Sequence, residues 1–240
     1  SSEHFHTLKD LSPIRRSLRG LKREVVVYVR EHTRYMTSWY QQSVQSQVFT
    51  STFPEFIQQF SKPHMPVLQA WKKIADRKGM FIKGYQRENL PEGDVRHDFL
   101  ERLGISDRAD FNFPEDSNLS ITGNLLLAKR ILNNFLMQSE CLEAAHEVTR
   151  IAEKNGRYTG TLNIGDEMIN KIYWMYEEDR KALRSKYGIA LGAPPQAKGT
   201  LVPDEAHVRE DWQSILGTAQ ELDGCLWRAA QRGGLDCMLT

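Results

Sequence analysis

Apolar residues follow two kinds of pattern along this chain. Leu21 to Arg30 reads LKREVVVYVR, and Val25 to Val29 form an unbroken run dominated by β-branched side chains. Such a run predicts a strand buried on both faces. Met80 to Gln86, MFIKGYQ, is shorter and less apolar, lies between Gly79 and Pro91, and predicts a second strand. Almost everywhere else the apolar positions recur at three- and four-residue steps, which is the spacing of a helix face.

The helical segments carry their own punctuation. Tyr35, Met36, Trp39, Tyr40, Val44 and Val48 mark a helix from about Thr33. Thr52 with Glu55 makes a capping-box pattern, and Pro54 is tolerated in a first turn. Val67, Leu68, Trp71, Ile74 and Ala75 mark a helix ending near Gly79; Val95, Phe99, Leu100 and Leu103 mark another, stopped by Gly104. Ser120 is placed to cap a helix carrying Leu125, Leu126, Ile131, Leu132 and Phe135. Further helices are expected over 140–154, 165–187 and 204–227, with Gly192 to Gly199, GAPPQAKG, as a loop or linker.

Strands interleaved with helices imply an α/β fold with a parallel sheet flanked by helices and a helix-rich C-terminal half. Two strands are few for such a sheet, so a first strand is expected to precede Ser1. The expected division is an α/β domain over 1–190, incomplete at its N-terminus, and a linker with a helical tail over 191–240.

Composition narrows the function classes. With 240 residues, 40% hydrophobic and 26% charged, the chain is long enough to bury a sizeable core. Lys plus Arg number 32 against 31 Asp plus Glu, so the balance of +1 points neither to nucleic acid nor to an anionic membrane surface. An anion site must then be built locally. Three cysteines, Cys141, Cys225 and Cys237, without metal-type spacing argue against a disulfide framework or a zinc site. A reducing, cytoplasmic setting is expected, with no apolar run long enough to span a bilayer. His97, His146 and His207 stand singly and read as surface groups, and EEDRK, Glu177 to Lys181, reads as a solvated helix face.

The chemistry concentrates in VVVYVREHTRYMTSWYQQ, Val25 to Gln42. A strand ends at Arg30, a turn follows, and an amphipathic helix begins. In parallel α/β sheets ligands sit beyond the carboxyl ends of strands, beside helix N-termini. A guanidinium there offers a bidentate fork to phosphate oxygens, and the Ser38 hydroxyl can add one hydrogen bond. Strand, Arg, seven residues, Ser, then an aromatic resembles the pattern by which sulfotransferases hold the 3′-phosphate of 3′-phosphoadenosine 5′-phosphosulfate. Arg30, Ser38 and Trp39 match it in type and spacing. SSEHF at Ser1 to Phe5, the segment from Phe81 to Ile105, NLSITGNLLLAKRILN from Asn118, and YEEDRKALRSKYG from Tyr176 also resemble bacterial sulfotransferase-like proteins. Together they span roughly Ser1 to Gly188.

The resemblance implies a P-loop-type fold, the adenylated sulfo donor as cofactor with no metal, and a carbohydrate or surface-glycan hydroxyl as acceptor. It implies Arg30, Ser38 and Tyr85 as donor-binding residues, Tyr85 near the adenine. It implies a general base at Glu3 first, or His4. The chain departs from the pattern in three places. Gln86 stands where relatives carry an acid, and Lys83-Gly84 where many carry Arg-Pro. No Gly/Lys/Thr-rich turn follows a strand and opens a helix, so the loop that cradles the 5′-phosphosulfate is expected upstream of Ser1. The chain alone is then expected to be inactive. The alternative is a non-catalytic nucleotide-binding or helical interaction module that keeps the fold.

Overall fold

The computed structural model describes residues 8, 10–77, 79–105, 111, 113, 119–197 and 202–235. The elements in chain order are α1 (Ser12–Ser17), β1 (Val25–Val29), α2 (His32–Ser46), α3 (Phe53–Gln59), α4 (His64–Lys72), β2 (Met80–Gly84), α5 (Val95–Arg102), α6 (Gly123–Leu132), α7 (Cys141–Lys154), α8 (Gly165–Met175), α9 (Glu177–Tyr187), α10 (Val208–Leu222) and α11 (Cys225–Arg232). The protein is thus α/β, rich in helix, with a small parallel sheet. Residues 1–32, 62–111 and 171–194 form one compact unit, and 33–61, 112–170 and 195–240 form another.

In the first unit β1 and β2 pair in parallel, with Val25 opposite Met80 and Val29 opposite Gly84. Val29, Met65, Leu68 and Leu183 form its buried centre, and Val27, Met80, Ile82, Tyr187, Ile189 and Leu191 pack around them. Within β1 only Val29 is fully buried; Val25 to Tyr28 are half-buried, not covered on both faces as the apolar run predicts. The reason is the narrow sheet: among the described residues β1 has a strand neighbour along one edge alone. Gly79, just before β2, lies so close to the Arg23 carbonyl that a Cβ would come within 2.2 Å of its oxygen.

In the second unit α6, α7, α10 and α11 pack around Leu125, Leu126, Leu132, Val148, Ile151, Ile215, Leu216 and Leu226, all buried. A separate aromatic group joins α2 to α3: Trp39 meets Phe56 edge-on at 5.1 Å and Tyr40 meets Phe53 at 5.2 Å. The Thr52 backbone N–H and hydroxyl both donate to the Glu55 carboxylate, closing the expected start of α3. Several boundaries differ from the sequence reading: α4 ends at Lys72, short of Gly79, and α10 begins at Val208, not at 204. α6 begins after Thr122, not Ser120, because Ile121 is held in a bridge with Thr159. The helix expected over 165–187 breaks at Tyr176. The last helix breaks at Asp223-Gly224, where Asp223 takes a left-handed conformation (φ 47°). Among the described residues no helix is long and apolar enough to cross a membrane.

Candidate functional site

The parallel register brings two of the expected residues together. Arg30 follows the last residue of β1 and Tyr85 follows the last residue of β2, and Val29 and Gly84 are register partners. The Tyr85 backbone N–H donates to the Val29 carbonyl at 2.7 Å, extending the ladder by one rung. The Arg30 guanidinium carbon lies 5.5 Å from the centre of the Tyr85 ring, within cation–π range. Both side chains are half-buried. A cation and an aromatic face therefore stand side by side at the carboxyl end of the sheet. Ser38 lies on the second turn of α2, half-buried, and belongs to the second unit. Glu3 and His4 lie outside the described residues.

Beneath Arg30 is a polar network that sequence reasoning missed. The His64 imidazole bonds the Arg30 carbonyl through Nε2 at 2.8 Å, so Nε2 must carry the hydrogen. The backbone N–H groups of His64 and Met65, the first two residues of α4, donate to the two Asp179 oxygens at 2.8 and 2.9 Å. Asp179 also faces His32 Nε2 at 2.9 Å. The His32 ring stacks on Tyr176 at 4.4 Å and lies 4.4 Å from the His64 ring. Tyr176 in turn accepts from the Lys62 N–H at 3.0 Å. Asp179 is buried, so the reading of Glu177 to Lys181 as a wholly solvated face is corrected at this residue.

Charge and tautomer follow from these bonds. Burial opposes ionisation of Asp179, but the hydrogen bonds from His32, Met65 and His64 outweigh it and hold the carboxyl below its usual value. Against an ionised Asp179, His32 presents Nε2–H. Its Nδ1 is buried and without a hydrogen-bond partner. Asp98 plays a smaller part on the sheet's flank. It accepts from the Tyr28 hydroxyl at 2.7 Å and pairs with Lys83.

A second carboxylate cluster has an architectural explanation. Glu143, Glu147 and Cys225 bring their ligand-type atoms within 4.8 Å of one another. Glu147 already accepts the backbone N–H groups of Cys225 and Leu226, at 2.7 and 3.0 Å, and Glu143 pairs with Arg228 at 3.1 Å. Burial, reinforced by Glu147, pushes the Cys225 thiol up to about 12, so it stays protonated. The group serves as a helix cap. Cys141 and Cys225 are free, and Cys237 lies outside the described residues.

Comparison with known proteins adds one relative. An uncharacterized protein of Archaeoglobus fulgidus is 26% identical over 192 residues, covering 78% of this chain and 53% of that protein. The chain thus spans about half the length of the curated relative it matches. No family model matches it, and no solved structure matches it.

Proposed function

We propose that the strand-end site binds the nucleotide half of 3′-phosphoadenosine 5′-phosphosulfate, in a sulfotransferase-type protein of P-loop-like fold. The observation that carries this reading is the juxtaposition of Arg30 and Tyr85 at adjacent carboxyl ends of parallel strands. Their chemistry fits the group: a guanidinium for a ribose phosphate and an aromatic face for a purine. The spacing resemblance adds Ser38 as a further hydroxyl donor. In a protein of this type, sulfo transfer would form a bond from an acceptor hydroxyl oxygen to sulfur. It would break the bond from sulfur to the bridging phosphate oxygen, with the hydroxyl proton passing to Glu3 or His4. The acceptor class, a carbohydrate or surface glycan, is carried by the resemblance alone.

Isothermal titration with adenosine 3′,5′-bisphosphate tests the reading, since this ligand requires no turnover. Saturable binding is expected. Arg30→Ala is expected to weaken it about ten- to hundredfold, the worth of lost charge-assisted hydrogen bonds. Binding unchanged by Arg30→Ala would remove the assignment.

A further inference from the structure

Positive charge gathers along α1 and the turn that follows it. The ten residues from Ile14 to Arg23, IRRSLRGLKR, contain five basic residues and no acid, in a chain whose balance is only +1. Two of the five are paired. Lys22 meets Glu24 at 3.3 Å. Arg23 is fixed to Asp76 by its backbone N–H at 2.8 Å and its guanidinium at 2.9 and 3.3 Å. The side chains of Arg15, Arg16 and Arg19 have no hydrogen-bonded partner among the described residues. The Asp10 carboxylate nearby accepts the Ser12 N–H at 2.8 Å and feels the Arg16 charge without bonding it.

Ser12, Arg15, Arg16, Arg19, Gly20 and Arg23 line one open groove of about 470 Å³. Unpaired like charges sharing one groove repel, and the arrangement is relieved by an anion entering it. Arg23 is held in place by Asp76 while keeping guanidinium N–H groups to spare, since a guanidinium has five and Asp76 occupies only two of them. Gly20 adopts φ 84°, and a Cβ there would meet nothing within 4 Å, so the backbone leaves the groove's rim open.

The geometry points to a second anion site in this groove, for a compact soluble ligand carrying two or more phosphate or sulfate groups. One oxyanion offers too little charge for three guanidiniums that no carboxylate bonds; two linked ones come closer, and each meets a fork-shaped donor. The site lies wholly in the first unit and is independent of the nucleotide reading at Arg30.

Inorganic pyrophosphate is the probe, titrated calorimetrically into the full chain at low and at physiological salt. Saturable binding that weakens with salt is expected. Arg15→Ala with Arg19→Ala is expected to weaken it at least about tenfold, with the thermal midpoint not lowered, because these side chains are exposed and repel one another. Arg15→Lys with Arg19→Lys keeps the charge and should recover part of the loss. Arg30→Ala should leave pyrophosphate binding intact. No saturable heat, heat unchanged by the arginine variants, or heat lost with Arg30→Ala instead would each overturn the proposal. So would co-sedimentation with mixed phosphatidylcholine and phosphatidylglycerol vesicles that pyrophosphate does not compete away, since the groove would then serve a lipid surface.

Discussion

Asp179 in the first unit and Glu147 in the second are buried carboxylates set against helix starts. Asp179 accepts the first two N–H groups of α4, and Glu147 the first two of α11. In both cases the side chain comes from a distant helix and satisfies donors that a helix cannot satisfy itself. They differ in what else they hold. Glu147 adjoins a thiol that stays protonated. Asp179 takes a third donor, His32, whose ring lies 4.4 Å from that of His64, the residue that fixes the carbonyl of Arg30. The same capping chemistry ends in architecture in one unit and continues to a strand end in the other. A buried carboxylate becomes informative about function through its further partners, not through burial.

The largest expected effect follows from that third partner. Asp179→Ala strands two backbone donors and the His32 Nε2–H, and is expected to cost about 3–5 kcal/mol in urea denaturation. Glu147→Ala strands two donors only and is expected to cost about 2–3 kcal/mol. Equal costs would show that the His32 bond contributes nothing. Acid titration sharpens the contrast. Asp179 has a folded pKa below its unfolded one, so its stabilisation is present above the unfolded value and is lost as pH falls through the folded one. Asp179→Asn should therefore flatten the acid limb of the stability curve below about pH 4, where unperturbed Asp begins to titrate.

These partners also mark where the sequence was readable. Arg30 could be placed because it follows an apolar run, and strand ends announce themselves that way; Tyr85, inside the expected strand Met80 to Gln86, is pointed to by the resemblance alone. Asp179 could not. Its neighbours Glu177, Glu178, Arg180 and Lys181 give it the look of a surface helix. Its burial depends on α9 meeting α4, with partners 114 and 115 residues away in the chain. His32, within Arg30 to Arg34, was hidden by polar neighbours in the same way. The break between α10 and α11 was legible in principle, since Asp223-Gly224 is a turn signal inside a helical pattern. The break at Tyr176 had no Gly or Pro to mark it.

Lys129 extends the comparison to a buried cation. It is fully buried in α6, donating to the Val44 carbonyl at 3.2 Å and to Asn133. Burial pushes it down to about 8. Above that pH the native chain releases a proton that the unfolded chain keeps, so the unfolded state binds more protons and stability rises with pH. The expected gain is roughly 1 kcal/mol over the first pH unit above 8, at most about 1.4. Lys129→Met should remove this rise, read as the difference between the two stability curves. A curve parallel to that of the parent would mean that Lys129 stays charged in its site.

The smallest effect concerns the pair that the strand ends bring together. A half-exposed guanidinium 5.5 Å from a tyrosine ring contributes about 0.5–1 kcal/mol. A double-mutant cycle of Arg30→Met with Tyr85→Leu isolates that coupling from the loss of each side chain alone. Tyr85→Phe keeps the ring face and should leave stability unchanged, because the hydroxyl takes no part in the contact. The cycle also separates two roles for Tyr85. Coupling that disappears when adenosine 3′,5′-bisphosphate is bound would mean that phosphate draws the guanidinium off the ring. Coupling that persists unchanged in saturating ligand would mean that Arg30 belongs to the tyrosine and not to a phosphate.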